Sequence, residues 1–75
     1  MPRRLVSRDE LVGLVNERIR QLPIGNACTL GGVLRTRPDA YGCNWMAGRI
    51  EGIYMQGVRE VVTEMRAKYN LADGA

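Results

Sequence analysis

Apolar residues recur every three or four positions in the first third of the chain, which predicts an amphipathic helix over residues 8–21. Ser7 and Glu10 form a capping box at its start, because the Ser7 hydroxyl can accept a hydrogen bond from the Glu10 amide. Pro23 ends the run. The apolar positions of this run are Leu11, Val12, Leu14, Val15, Ile19 and Leu22.

A second helical pattern lies near the end of the chain and predicts a helix over residues 54–69. Its apolar positions are Met55, Val58, Val61, Val62, Met65 and Tyr69. Glu64 and Lys68 are four residues apart in the order that stabilises a helix. Residues 72–75 are predicted to be a frayed tail.

The segment between the helices has the composition of two strands, 27–35 and 43–50. Pro38 and Asp39 lie between them and suit the centre of a type I turn, so the two strands are predicted to form an antiparallel hairpin. The element order predicts a small two-layer α+β domain of the type α-β-β-α, a single domain over residues 1–75 in which both helices pack on one face of the hairpin.

The position of the turn predicts which hairpin face is inside. With the turn centred on Asp39, Val33 lies opposite Trp45, and strand alternation places Trp45 on the outer face. The inner set is more apolar and consists of Cys28, Leu30, Leu34, Met46 and Ile50. A slip of one residue in one strand would instead place Trp45 in the core of this chain, which has no phenylalanine.

An outward Trp45 would form a binding surface with Cys43 beside it and with Arg35, Arg37 and Arg49 around it. Tryptophan and arginine are the usual anchors of protein interfaces. A two-stranded sheet covered on one side leaves its other face and its edges bare. We therefore expect a non-enzymatic protein-interaction module that acts as a homodimer, with either a four-stranded sheet or stacked hairpins at its centre. A further protein partner is expected that the sequence does not identify.

The charge distribution suggests an alternative function. The net charge is +3, and arginine supplies ten of the eleven basic residues. Arginines around one stacking ring are the minimum for binding single-stranded nucleic acid. The alternative is therefore a nucleic-acid-binding protein that uses Arg35, Arg37, Arg49 and a basic N-terminal arm, residues 1–6.

The chain has 75 residues, two cysteines and no histidine. The absence of histidine excludes histidine bases and histidine-ligated metal sites. Cys43 opposite Arg35 is the best candidate for a reactive thiol, because a neighbouring cation favours the thiolate. It has no histidine or nearby second thiol as a base or resolving partner. We therefore predict no enzymatic activity, no cofactor and no metal.

No apolar run approaches the ~18 residues that a membrane span needs. The first residues do not resemble a signal peptide either. The sequence thus predicts a cytoplasmic protein with no membrane partner and with reduced thiols.

The sequence DAYGCNW at residues 39–45 and the sequence VNERI at residues 15–19 resemble those of a group of small uncharacterised bacterial proteins. These carry a leading helix and a hairpin with the motif D-x-x-GCNW. The resemblance implies the element order. It implies no activity and identifies no functional residue.

Overall fold

The computed structural model describes residues 3–23 and 27–72. In chain order the elements are β1 (Arg4–Val6), α1 (Arg8–Arg20), β2 (Cys28–Arg35), β3 (Trp45–Gly52), α2 (Gln56–Lys68) and β4 (Tyr69–Leu71). The predicted α+β class is confirmed, with two helices and an antiparallel β2–β3 hairpin. A parallel pair, β1–β4, was not predicted.

Both helices form where the apolar spacing predicts them. The Glu10 N–H donates to the Ser7 hydroxyl at 3.1 Å, so Ser7 caps the start of α1, which is the hydroxyl half of the expected capping box. Compared with the predicted ranges 8–21 and 54–69, α1 ends one residue earlier and α2 is shorter by two residues at its start and one at its end. The helices bury one stripe each, formed by Leu11, Val15 and Ile19 in α1 and by Val58, Val61 and Met65 in α2.

The predicted arm over residues 1–6 is wrong for Arg4–Val6, which is strand β1 beside β4. Val6 pairs with Leu71, and both side chains are buried. A three-residue strand is too short to show a period in the sequence, which explains the error. Residue 72 of the predicted tail continues this pairing, since its N–H donates to the Val6 carbonyl at 2.9 Å. Residues 1–2 and 73–75 lie outside the described residues.

The hairpin register differs from the predicted one. Trp45 pairs with Arg35 and not with Val33. The chain reverses later than expected, because Asp39 opens the turn and does not occupy its centre: its carbonyl accepts from the Gly42 N–H at 3.0 Å. The longer loop, residues 36–44, shifts the pairing by two positions.

The hairpin ladder is interrupted by glycines, and this interruption reverses the faces. Gly31 and Gly48 have no ladder partner, so each strand contains one extra residue between the pairs Leu30–Ile50 and Val33–Ala47. An extra residue in a strand inverts the inward and outward positions beyond it. Glycine is typical of such bulges.

The bulge makes the predicted outward position of Trp45 wrong. Its side chain is 0% exposed and is the largest fully buried side chain among the described residues. Conversely, Leu34 and Met46 were predicted inside but are 54% and 47% exposed. The alternative that placed Trp45 in the core is correct, although a bulge in both strands causes it and not a slip of one strand.

Candidate functional site

Trp45 is held inside the fold by its ring and by its backbone. The indole Nε1 donates to the Tyr69 carbonyl at 2.9 Å, and the Trp45 carbonyl accepts from Arg66 Nε at 3.0 Å. A buried indole N–H needs such a partner. The structure therefore assigns Trp45 to the junction between β3 and β4, where it cannot be an anchor for a partner.

Asn44 joins the hairpin loop to β4 through paired hydrogen bonds. Its side-chain oxygen accepts from the Leu71 N–H at 2.8 Å, and its side-chain nitrogen donates to the Leu71 carbonyl at 3.0 Å. The Asn70 side chain bonds in the opposite direction, from β4 to the loop. Its oxygen accepts from the Asn44 N–H at 3.2 Å, and its nitrogen donates to the Gly42 carbonyl at 2.9 Å. These amides replace the backbone ladder that two adjacent strands would share.

Asp39 organises the loop itself. Its Oδ1 accepts from the N–H groups of Tyr41 at 2.8 Å and Cys43 at 3.1 Å, and its Oδ2 lies 2.9 Å from Arg66 Nη2. The two backbone N–H donors, followed by the positive charges of Arg66 and Arg3, lower the pKa of Asp39. Such bonds from an aspartate side chain to the backbone that follows it are typical of turns.

Cys43 has no access to solvent that a reactive thiol needs. It is 1% exposed, and its Sγ donates to the Trp45 carbonyl at 3.4 Å. Cys28 is also buried and free. Together, Asp39, Asn44 and Cys43 show that the GCNW motif closes the loop end of the hairpin.

The three arginines of the predicted surface are not brought together. Arg35 donates to the Ala72 carbonyl, and Arg49 pairs with Glu51 at 3.1 Å between Nε and Oε1. The Arg37 carbonyl accepts from the Thr36 hydroxyl at 3.0 Å, but its exposed guanidinium group has no hydrogen bond or ion pair with any residue that the structure describes. Arg49 lies four positions along β3 from the partner of Arg35, or ~13 Å at strand rise. The Trp45 ring, which was predicted to lie between these arginines on the surface, is buried.

Sequence reasoning missed the exposed apolar segment that links β3 to α2. Three consecutive side chains, Ile53, Tyr54 and Met55, are 61%, 53% and 44% exposed. Three adjacent apolar residues outside any element are a signal that the sequence did contain. Leu34 and Met46, paired across the hairpin, are a second exposed apolar pair.

An open groove of about 640 Å³ runs from this segment along α2. It is lined by Tyr54, Met55, Gln56, Arg59, Glu60, Thr63 and Glu64. Hydrogen bonds from Arg18 and Lys68 lower the pKa of Glu64, so this carboxylate is already paired. The groove thus combines an apolar end with charged walls. Within the described ranges no cluster of three metal-ligating side chains exists.

No family model, no curated protein and no solved structure matches this chain in the three comparisons with known proteins. In the part of the chain that the structure describes, neither helix has the length and apolar character required to cross a membrane.

Proposed function

We propose that the protein is a non-enzymatic protein-interaction module that acts as a homodimer. The observation that carries this proposal is the run of exposed apolar residues Ile53, Tyr54 and Met55. Small proteins expose contiguous apolar side chains mainly where a partner covers them. The proposed surface therefore consists of the segment 53–55 and the part of β3 next to it. It replaces the surface that was predicted around Trp45.

The small size of the domain supports association. A domain of 75 residues buries only about 60% of the surface of its unfolded state, so burial of apolar surface against a second subunit would stabilise it. Both cysteines are free, which is compatible with a reducing, cytoplasmic location.

Sedimentation velocity over a dilution series tests the proposal. A species of about twice 8.4 kDa is expected at high concentration and the monomer at low concentration. Tyr54→Ser should weaken the dimer, because it removes apolar area from the proposed surface. Tyr41→Ser is the matched control, since Tyr41 is 82% exposed on the hairpin loop, outside that surface. A monomer at every concentration up to about 1 mM would refute the homodimer.

The alternative, nucleic-acid binding through Arg35, Arg37 and Arg49, receives less support from the geometry. Two of the three guanidinium groups have partners within the chain, and no exposed ring lies between them. Titration with mixed single-stranded oligonucleotides at low salt tests it, because phosphate-dominated binding is strongest there. Salt-dependent binding that Arg37→Glu weakens would favour this alternative.

A further inference from the structure

Strand β3 has an unused edge. Between residues 46 and 52 no side chain or loop backbone in the described ranges donates to or accepts from this strand. The corresponding edge of β2 is different, since the Leu30 N–H and C=O bond to the Asn16 side chain at 2.7 and 2.9 Å. An unpaired strand edge is a template for the addition of another strand.

The Asn16 contact also shows which cross-strand pairs of the hairpin exchange hydrogen bonds and which do not. Because Leu30 uses both backbone groups on Asn16, the Leu30–Ile50 pair is one without mutual hydrogen bonds. The Ile53 N–H donates to the Ala27 carbonyl at 2.8 Å, which agrees with the alternation of bonded and non-bonded pairs. The N–H and C=O of Ile50 therefore both point away from β2, toward the open edge.

Opposite charges flank Ile50. The side chains of Arg49 and Glu51 are 78% and 60% exposed and lie on the same side of β3, where they pair with each other. If two copies of β3 run antiparallel about a two-fold axis through Ile50, each Arg49 lies opposite Glu51 of the other copy. The two Ile50 residues then exchange their outward N–H and C=O groups.

We propose that a second copy of this chain pairs with the β3 edge in this register, so that two hairpins form one four-stranded antiparallel sheet. This inference rests on the homodimer proposed above and names its surface. Cross-strand pairs of opposite charge stabilise a sheet, and like charges directly opposite each other destabilise it.

The segment 49–51 selects a second copy over an unrelated strand. Read antiparallel, its basic, apolar, acidic order is complementary to itself. An axis through Arg49 or through Glu51 would place like charges opposite each other, and an axis through Gly48 would fall on the bulge. The axis through Ile50 pairs both charges.

The same register covers apolar surface left open in one copy. In this arrangement the segment 53–55 of each copy runs toward the loop-side half of the other copy's β3, beyond the Gly48 bulge. Met46 lies in that half and is 47% exposed, so this approach covers apolar side chains of both copies. The exposed segment 53–55 and the open edge thus belong to one interface.

Charge reversal tests the register, with sedimentation velocity as the readout. Arg49→Glu and Glu51→Arg should each raise the dimer Kd by about tenfold or more, because each places two like-charged pairs across the axis. A 1:1 mixture of the two variants should form a heterodimer, since every cross-strand pair is then attractive. The double variant Arg49→Glu/Glu51→Arg should dimerise like the parent chain. Thermal melts of the dilute variants check that each chain folds.

Arg37→Glu is the matched control, because it makes the same charge change on the exposed loop and should leave the Kd unchanged. If the parent chain dimerises and the single reversals do not affect it, the register is wrong and the homodimer stands. If the single reversals weaken the dimer but the mixture does not restore it, the pairing of these two residues is refuted. A parent chain that remains monomeric refutes both proposals.

Discussion

The loop end of the hairpin and the outer edge of β3 belong to the same pair of strands but differ in how their backbone groups are hydrogen-bonded. At the loop end, Asn44, Asn70 and Arg66 occupy backbone groups of the loop, of β3 and of β4. At the other end, the outer edge of residues 46–52 has no such partners among the described residues. We call the loop end the closed end, because its backbone groups are bonded within one chain. We call the outer edge of residues 46–52 the open end, because its backbone groups are available to pair with a second strand.

The most distinctive sequence motif and the surface proposed for dimerisation thus lie in different parts of the hairpin. The residues of GCNW are distinctive because the buried indole of Trp45, the paired amide bonds of Asn44 and the positive φ of Gly42 each require one residue type. Residues 46–52 are unremarkable in composition, yet their exposed charges and unpaired backbone are suited to recognition. A motif of distinctive residues can therefore have a structural role and need not be a binding site.

The largest expected effect is at the centre of the closed end. Trp45→Ala should lower the free energy of unfolding by about 3–5 kcal/mol, because it removes a fully buried ring and leaves a cavity. Met46→Ala, next in the chain and half-exposed, should cost less than about 1 kcal/mol in dilute monomer. Urea unfolding followed by circular dichroism measures both. Equal losses in the two variants would contradict the assignment of Trp45 to the core.

A smaller effect is expected from the amide that joins the loop to β4. Asn44→Ala leaves the Leu71 N–H and C=O without partners and should cost about 1–3 kcal/mol. Arg37→Ala, in the same loop, removes a side chain that has no hydrogen bond or ion pair among the described residues, and it should change stability by less than about 0.5 kcal/mol. Chemical denaturation of both variants measures the two changes in the free energy of unfolding. A neutral Asn44→Ala would show that the other contacts of β4, which include its pairing with β1 and the bond from the Trp45 indole, hold it without this amide.

The closed end should also be acid-sensitive. The pKa of Asp39 is lower in the folded state than in the unfolded chain, so its contribution to stability is present above the unfolded value of about 3.9 and is lost as the pH falls through the folded value. Asp39→Asn should therefore be less stable than the parent chain at pH 7, and the gap should narrow below pH ~4. Glu60→Gln is the control, because it removes a carboxylate from the exposed face of α2. A gap that is independent of pH would exclude this role for the Asp39 charge.

Much of the fold could be predicted because helical periodicity and caps are local signals. Ser7 and Glu10 started α1 as expected, and the buried stripes of both helices were identified. The faces of β2 and β3 could not be predicted from alternation, because Gly31 and Gly48 interrupt the ladder in both strands at once. The β1–β4 pair was missed because parallel strands 65 positions apart leave no local signal, as with Arg4 and Tyr69.

The candidate site was predicted less well than the fold. Trp45 was assigned to the surface because an even alternation was assumed across the glycines, and the surrounding arginines were grouped with it for that reason. Tyr54 and Met55 of the exposed segment were assigned to the start of a helix predicted over residues 54–69, although α2 begins at Gln56. Only Arg49 of the predicted surface remains in the proposed interface, through its pairing with Glu51.

Hydrogen exchange of two amides compares the two ends most directly. The Asn44 N–H donates to Asn70 within one chain, whereas the Ile50 N–H points to the open edge. We expect Asn44 to be protected at every protein concentration, and Ile50 to exchange rapidly in dilute monomer and slowly in concentrated dimer. Protection of Ile50 that does not depend on concentration, or protection of Asn44 that does, would contradict the division into a closed and an open end.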